Sequence, residues 1–276
     1  RNKPGDTQDR YRGFSGGMNA NYTFNIMSNL EVGYTFDQYD KSDYQSLYKN
    51  DVRDYSNVQH NVHALYNYTF NGKHTLTVGA DYLRDYLMSY QFTDNADHTM
   101  HTADAFGQFD WNPTERLNVI AGLRFDYFSD SNVRHLSPHL GMMYKIGSCS
   151  LRGSYSQGFR SPTLKEMYMV FNMANMMMIY GNPDLKSETS HNFSVSAEYT
   201  KNRYNFSVTG YYNLVHNRIN TVYSEDPKGQ IYTNTDKMDI AGIDANISAK
   251  YPCGLGYRLS YTYIHEFMRD GQKKFT

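Results

Sequence analysis

Apolar and polar side chains alternate along most of this chain with a period of two. In residues 14–24, Phe14, Gly16, Met18, Ala20, Tyr22 and Phe24 interleave with Ser15, Gly17, Asn19, Asn21 and Thr23. The alternation returns at 58–70, where Val58, Val62, Ala64, Tyr66, Tyr68 and Phe70 oppose Gln59, Asn61, His63, Asn67 and Thr69, and again at 117–127 and 191–199. Successive side chains of an extended strand point to opposite faces, so each segment predicts a strand with one greasy and one polar face. The pattern predicts about twelve strands: 11–25, 29–37, 56–70, 75–92, 102–112, 116–128, 136–145, 149–157, 191–200, 204–218, 239–251 and 256–265. Most reach the ~9–11 residues that a tilted strand needs to cross a bilayer, whereas globular strands usually run ~5–6.

The connections sort by length. Short turns fall around 25–28, 71–73, 112–114, 145–148, 200–202 and 252–254, with polar loops expected at 38–55, 93–101, 129–135, 158–190 and 219–238. A meander with short turns at one end and long loops at the other is the plan of an outer-membrane barrel. A sandwich with Greek-key crossovers does not sort its loops this way. Aromatic placement agrees. The greasy face of strand 56–70 has Val62 and Ala64 at its centre and Tyr66, Tyr68 and Phe70 toward the turn, while Tyr34 and Phe36 lie next to a loop. Rings at both rims with aliphatics between them describe two interfacial girdles. Arg124, Asp126, Arg152, Glu198, Asp244 and Lys250 all take the polar register, and Arg84 takes the greasy one, ten residues up from its turn, where it clears the hydrocarbon. The predicted fold is therefore all-β, an antiparallel transmembrane β-barrel.

Composition narrows the classes further. The 276 residues carry 27 basic and 28 acidic side chains, a net charge of -1, so the footprint of a nucleic-acid binder is missing. Aromatics make up 16%, mostly the 27 Tyr, an amphipathic ring suited to a wet–apolar boundary. No apolar run approaches the ~18 residues of a spanning helix. Cys149 and Cys253 read as unpaired thiols, with no CxxC or Cys/His metal spacing. Arg1 to Gly5 lead into no apolar stretch and Lys273 to Thr276 stop after a strand-like run, so a fragment is expected at both ends. No spacing singles out a nucleophile with a base, and an enzyme is not expected.

The longest predicted loop carries two motifs: Gln157-Gly158-Phe159-Arg160-Ser161-Pro162-Thr163 and Tyr180-Gly181-Asn182-Pro183-Asp184-Leu185. With the strand rhythm, and with Tyr211-Tyr212-Asn213 and Ala241-Gly242-Ile243-Asp244-Ala245, they resemble the TonB-dependent outer-membrane receptor family. Its barrels carry an aromatic-Arg-Ala-Pro box and an Asn-Pro-Asp/Asn-Leu box; the matching residues here are Phe159, Arg160, Pro162, Asn182, Pro183, Asp184 and Leu185. The resemblance implies a Gram-negative outer-membrane location and a 22-stranded barrel with a plug domain. The chain would supply middle strands of that barrel, with the plug and terminal strands not present. It also implies an inner-membrane TonB energy-coupling complex, engaged through the absent plug segment, and the lipid bilayer as partners. Active import of a scarce, bulky nutrient would follow, with no permanent cofactor.

Among such receptors the pattern most resembles the haem and haemoprotein branch, where the two boxes flank a segment with a ligand His. Here that segment has no His but six Met: Met167, Met169, Met173, Met176, Met177 and Met178. A Met-lined mouth could cradle a haem as transported ligand, or these residues fill a folded loop as adaptable apolar side chains. His98 and His101, beside Met100, are haem-iron candidates or members of a solvated loop. Arg160 could pair with Asp184 across the loop or meet an anionic group on cargo, and Pro162 and Pro183 would pin the loop. Haem is the first expected cargo, with corrinoid or ferric siderophore as alternatives and a passive porin as the competing class.

Overall fold

The computed structural model describes residues 7–92, 97–129, 133–173 and 177–268. In chain order its elements are β1 (Thr7–Asn25), β2 (Ser28–Gln45), β3 (Asn50–Phe70), β4 (His74–Ser89), β5 (Asp97–Trp111), β6 (Leu117–Phe128), β7 (Val133–Ile146) and β8 (Cys149–Arg160). After these come α1 (Leu164–Tyr168), β9 (Val170–Met173), β10 (Met177–Tyr180), β11 (Glu188–Lys201), β12 (Tyr204–Glu225), β13 (Lys228–Lys250) and β14 (Gly256–Met268). All fourteen strands belong to one sheet. Twelve of them form an antiparallel meander in which each hydrogen-bonds its neighbour, from β1 through β8 and then β11 to β14. The two edges of that wall are β1 and β14. Such an open sheet is one arc of a barrel. No described helix is long and apolar enough to cross a membrane.

Registers place the alternating side chains on two faces. Met18, Tyr34, Val62, Tyr82, Ala103 and Tyr127 lie in one cross-strand row, and Ala20, Val32, Ala64, Ala80, Ala105, Phe125 and Leu136 in the next. This face is apolar and open: Met18 is 74% exposed and Val195 70%. An apolar surface of that extent is stable in contact with lipid and not with water. Rings bound the band at the turn end, where Tyr22 meets Phe24 edge-on at 4.8 Å and Tyr68 meets Phe70 at 4.6 Å. At the other end three girdle tyrosines are paired with histidines: the Tyr34 hydroxyl lies 2.8 Å from His60 Nδ1, Tyr82 lies 2.7 Å from His101, and Tyr155 lies 3.0 Å from His191.

The opposite face is the interior, and charges are paired across it. Arg124 reaches Asp104 and Asp126, each at 2.8 Å, and Arg152 reaches Glu198 at 2.8 Å. Asn19 donates to Glu31, and Thr262 donates to Asp244. Both Asn19 and Asp244 stand on the polar register that the alternation had assigned to the wet side.

The strands run longer than the alternation indicated. Residues 38–55 are not a loop: β2 continues to Gln45 and β3 resumes at Asn50. The expected loop at 219–238 is likewise the tip of the β12–β13 hairpin, which turns only between Glu225 and Lys228. A backbone ladder does not depend on greasy side chains, so strands continue into water with both faces polar and the two-residue signal vanishes. Cross-strand polar pairs hold these extensions, among them Ser56 donating to Asp40 at 2.6 Å and Arg10 beside Asp51 at 3.4 Å.

Candidate functional site

The segment between β8 and β11 folds onto the interior face at the long-hairpin end. It opens with a capping box: the Thr163 hydroxyl accepts from the Glu166 amide, and the Glu166 carboxylate accepts from the Thr163 amide at 2.9 Å. That satisfies the orphan amide groups at the start of α1. Leu164, Met167 and Met169 then bury against Leu87 and Phe92 of the wall, with Tyr55, Met100, Tyr168 and Phe171 packed around them. Backbone bonds fix the docking: the Val170 amide donates to the Gln91 carbonyl at 2.7 Å, and the Asn182 amide donates to the Glu166 carbonyl at 2.9 Å. Close approach at Gly181 is obligatory, because a Cβ there would lie 2.7 Å from the Met167 carbonyl oxygen.

Two polar clamps complete the dock. Arg160 Nη1 donates to both Glu166 oxygens, at 2.9 and 3.0 Å, and Arg160 Nη2 lies 3.5 Å from Glu188. Glu188 also accepts from the Ile219 amide at 3.1 Å, which ties the insert to β12. On the far side the Asn182 side chain donates to the Tyr232 carbonyl at 3.0 Å, and Asn234 exchanges hydrogen bonds with the Lys186 backbone at 2.7 and 2.8 Å. Burial beneath this clamp pushes the Tyr232 hydroxyl above its ordinary 10.0. The insert is therefore a fixed ledge.

Facing the ledge, interior rings line the mouth. Tyr11, Tyr39 and Tyr55 come from β1, β2 and β3 and follow one another at 6.3 and 6.0 Å between centroids. Lys165 Nζ stands 5.5 Å over the Tyr55 ring. Next to it the His98 ring stacks on Tyr168 at 3.8 Å with an 8° interplanar angle, and Phe92 meets both edge-on. Rings beside a cation, on a face open toward the hairpin end, offer stacking planes and a positive charge side by side.

The residues singled out in the sequence fall as follows. His98 and His101 are on β5, not in a loop, and three residues of extended chain put them on opposite faces. His98 is interior, on Tyr168; His101 is in the outer girdle, on Tyr82. They do not form a pair. The methionines divide as well: Met167 (3% exposed) and Met169 (8%) are packing, while Met177 and Met178 sit half-buried on β10 beside the β13 tip. Met173 ends β9; its side chain, and all of Met176, lie outside the described residues. Arg160 is engaged by Glu166 and Glu188 instead of Asp184, which is exposed. Phe159 stacks on His135 at 4.2 Å, Pro162 is fully buried and Leu185 is 7% exposed, so both boxes build the dock. Pro183 is exposed beside the turn in which the Asp184 amide donates to Asn182. Sequence reasoning missed the ring series. Glu166 carried a readable signal, the Thr163-x-x-Glu166 capping box.

A lipid-facing antiparallel wall with a wet, charged interior and a furnished mouth defines a transmembrane β-barrel of the outer membrane. The chain belongs to the TonB-dependent receptor-like β-barrel family, whose model matches residues 1–276. It is 27% identical over 220 residues to the iron-regulated outer membrane virulence protein of Vibrio cholerae serotype O1, covering 72% of this chain and 33% of that protein. It is 31% identical over 130 residues to the vitamin B12 transporter BtuB of Photobacterium profundum, covering 45% of this chain and 20% of that protein. The fold matches the siderophore receptor PirA of Pseudomonas aeruginosa with a TM-score of 0.72 at 16% identity, over 94% of this chain and 57% of that one. The chain thus spans about a third of the length of the Vibrio relative. These relatives' names concern iron, siderophores and vitamin B12; haem, the first expectation, is not among them.

Proposed function

We propose that this chain is part of an outer-membrane receptor that captures an anionic, ring-bearing ferric chelate of the siderophore class for energy-coupled import. The observation that carries the reading is the interior series Tyr11, Tyr39 and Tyr55, ending under Lys165 and beside the Tyr168–His98 stack. Flat rings with delocalised negative charge gain from stacking and from a nearby ammonium, each worth roughly 0.5–1.5 kcal/mol. A corrinoid presents less of either. Strands that pair the edges at β1 and β14, a plug, and the TonB complex as energy partner belong to this proposal, since hydrocarbon does not tolerate open sheet edges. No covalent step is asked of the chain. Capture rests on the mouth, and transport rests on movement of the plug.

The test is binding to the purified full-length receptor, with a ferric tris-catecholate, hemin and cyanocobalamin as separate probes. The catecholate complex is expected to bind tightest, and Lys165→Ala or Tyr39→Ala to weaken it by about tenfold. Haem remains the second reading, because His98, Met100 and Met167 gather round one set of rings. A Soret shift with hemin that is lost in His98→Ala, without catecholate binding, would replace the siderophore reading by the haem one.

A further inference from the structure

The outward face carries cations that the barrel itself leaves unbalanced. Interior Arg124, Arg152 and Arg160 each hold a carboxylate. Arg84 and Arg134 lie on the lipid register, in line with His101 and Tyr127 respectively, and among the described residues neither meets a carboxylate. Among the described residues Arg134 rests on the Tyr127 ring, at 5.8 Å. Their height is telling. Ten residues beyond His74, rising ~3.3 Å each at a tilt of ~40°, lift Arg84 by about 25 Å, the depth of the apolar band. Arg134 shares the row of Tyr127, Ala103 and Tyr82, two residues below Arg84 on β4, so both long guanidinium side chains reach the level of the outer-leaflet headgroups.

Below them runs a groove of about 430 Å³, floored by Ala103 and Ala105 and the Asp104 backbone, walled by Phe125 and Tyr127 and headed by Arg134. The Asp104 carboxylate itself turns inward to Arg124. The groove is apolar along its length and cationic at its top, the polarity of an anionic amphiphile lying with its chains toward the membrane centre. Arg84 on β4 and Arg134 on β7 are three strand spacings apart, about 14 Å. One phosphate cannot meet both. We propose that this face binds a doubly phosphorylated, acylated disaccharide lipid, the lipid A portion of lipopolysaccharide, with one phosphate on Arg84, the other on Arg134 and an acyl chain in the Ala103–Ala105 groove. Arginine suits this role, since its planar fork holds phosphate oxygens two at a time.

The experiment uses the full-length receptor in mild detergent, titrated with bis-phosphorylated lipid A, its dephosphorylated form and phosphatidylglycerol, with bound lipid read by native mass spectrometry. Bis-phosphorylated lipid A is expected to bind at least about tenfold tighter than either control, and Arg84→Gln with Arg134→Gln to abolish that preference. Ala105→Trp, which fills the groove and keeps both charges, is expected to weaken lipid A binding while the barrel stays folded by its gel mobility before and after heating. Equal binding of phosphatidylglycerol, or lipid A retention unchanged in the arginine double variant, would overturn the proposal.

Discussion

Single side chains decide whether the insert is a ledge or a loop. Arg160 is 41% exposed on its side chain yet holds Glu166 and Glu188 together, so its removal orphans two carboxylates beside the capping box. Arg160→Ala is expected to loosen the dock by about 1 kcal/mol, the scale of a half-exposed ion pair. Amide exchange within 161–187 should then speed about fivefold with the wall strands unchanged. Unchanged exchange there would mean that packing alone holds the insert. Gly181→Ala tests the packing directly: the Met167 carbonyl cannot yield without moving α1, so a cost of about 1–3 kcal/mol is expected in denaturant unfolding. Tyr232 adds a pH test. Burial raises its hydroxyl pKa, so the neutral form favours the docked state. That contribution is complete below the ordinary 10.0 and is lost as pH rises through the raised value. The difference in tyrosinate absorbance between wild type and Tyr232→Phe should have its midpoint above 10.0; a midpoint at or below it contradicts the buried clamp.

At the scale of elements, the strands obey lipid on one face and hydrogen bonding on the other. Ala64 lies in the middle of the apolar rows, flanked by Val32 and Ala80. Ala64→Arg is therefore expected to cost about 2–4 kcal/mol in urea unfolding of the full-length protein in lipid vesicles, and Asn61→Arg, on the interior face, well under half of that. Equal costs would mean that the two faces share one solvent. This contrast was legible in the sequence, because burial in lipid writes a period of two into the side chains. Its end was not. Above the apolar band both faces are wet, Asp40 and Ser56 pair as readily as Val62 and Tyr82, and the alternation that marks a strand disappears while the ladder goes on. The mouth was hidden for a different reason. Tyr11, Tyr39 and Tyr55 are far apart in sequence and sit on the polar register, and only the cross-strand register brings them into series. Spacing likewise made His98 and His101 look like partners, when three residues of strand separate them by the thickness of the wall.

At the largest scale the described residues form an arc of barrel wall that turns greasy rows outward and charged pairs inward, with the α1 insert docked at the hairpin end. Its seat in the membrane and its ring-lined interior come from the same alternation, since each strand must serve lipid and water in successive residues. Site-directed spin labels offer the most direct check. With Cys149 and Cys253 replaced by Ser, single cysteines at 61 to 66 of the full-length receptor would be labelled in lipid bilayers and their accessibility to oxygen and to a polar nickel chelate measured. Positions 62, 64 and 66 are expected to favour oxygen, and positions 61, 63 and 65 the chelate or neither, in strict alternation. Uniform accessibility to the chelate along all six would contradict the lipid-facing wall.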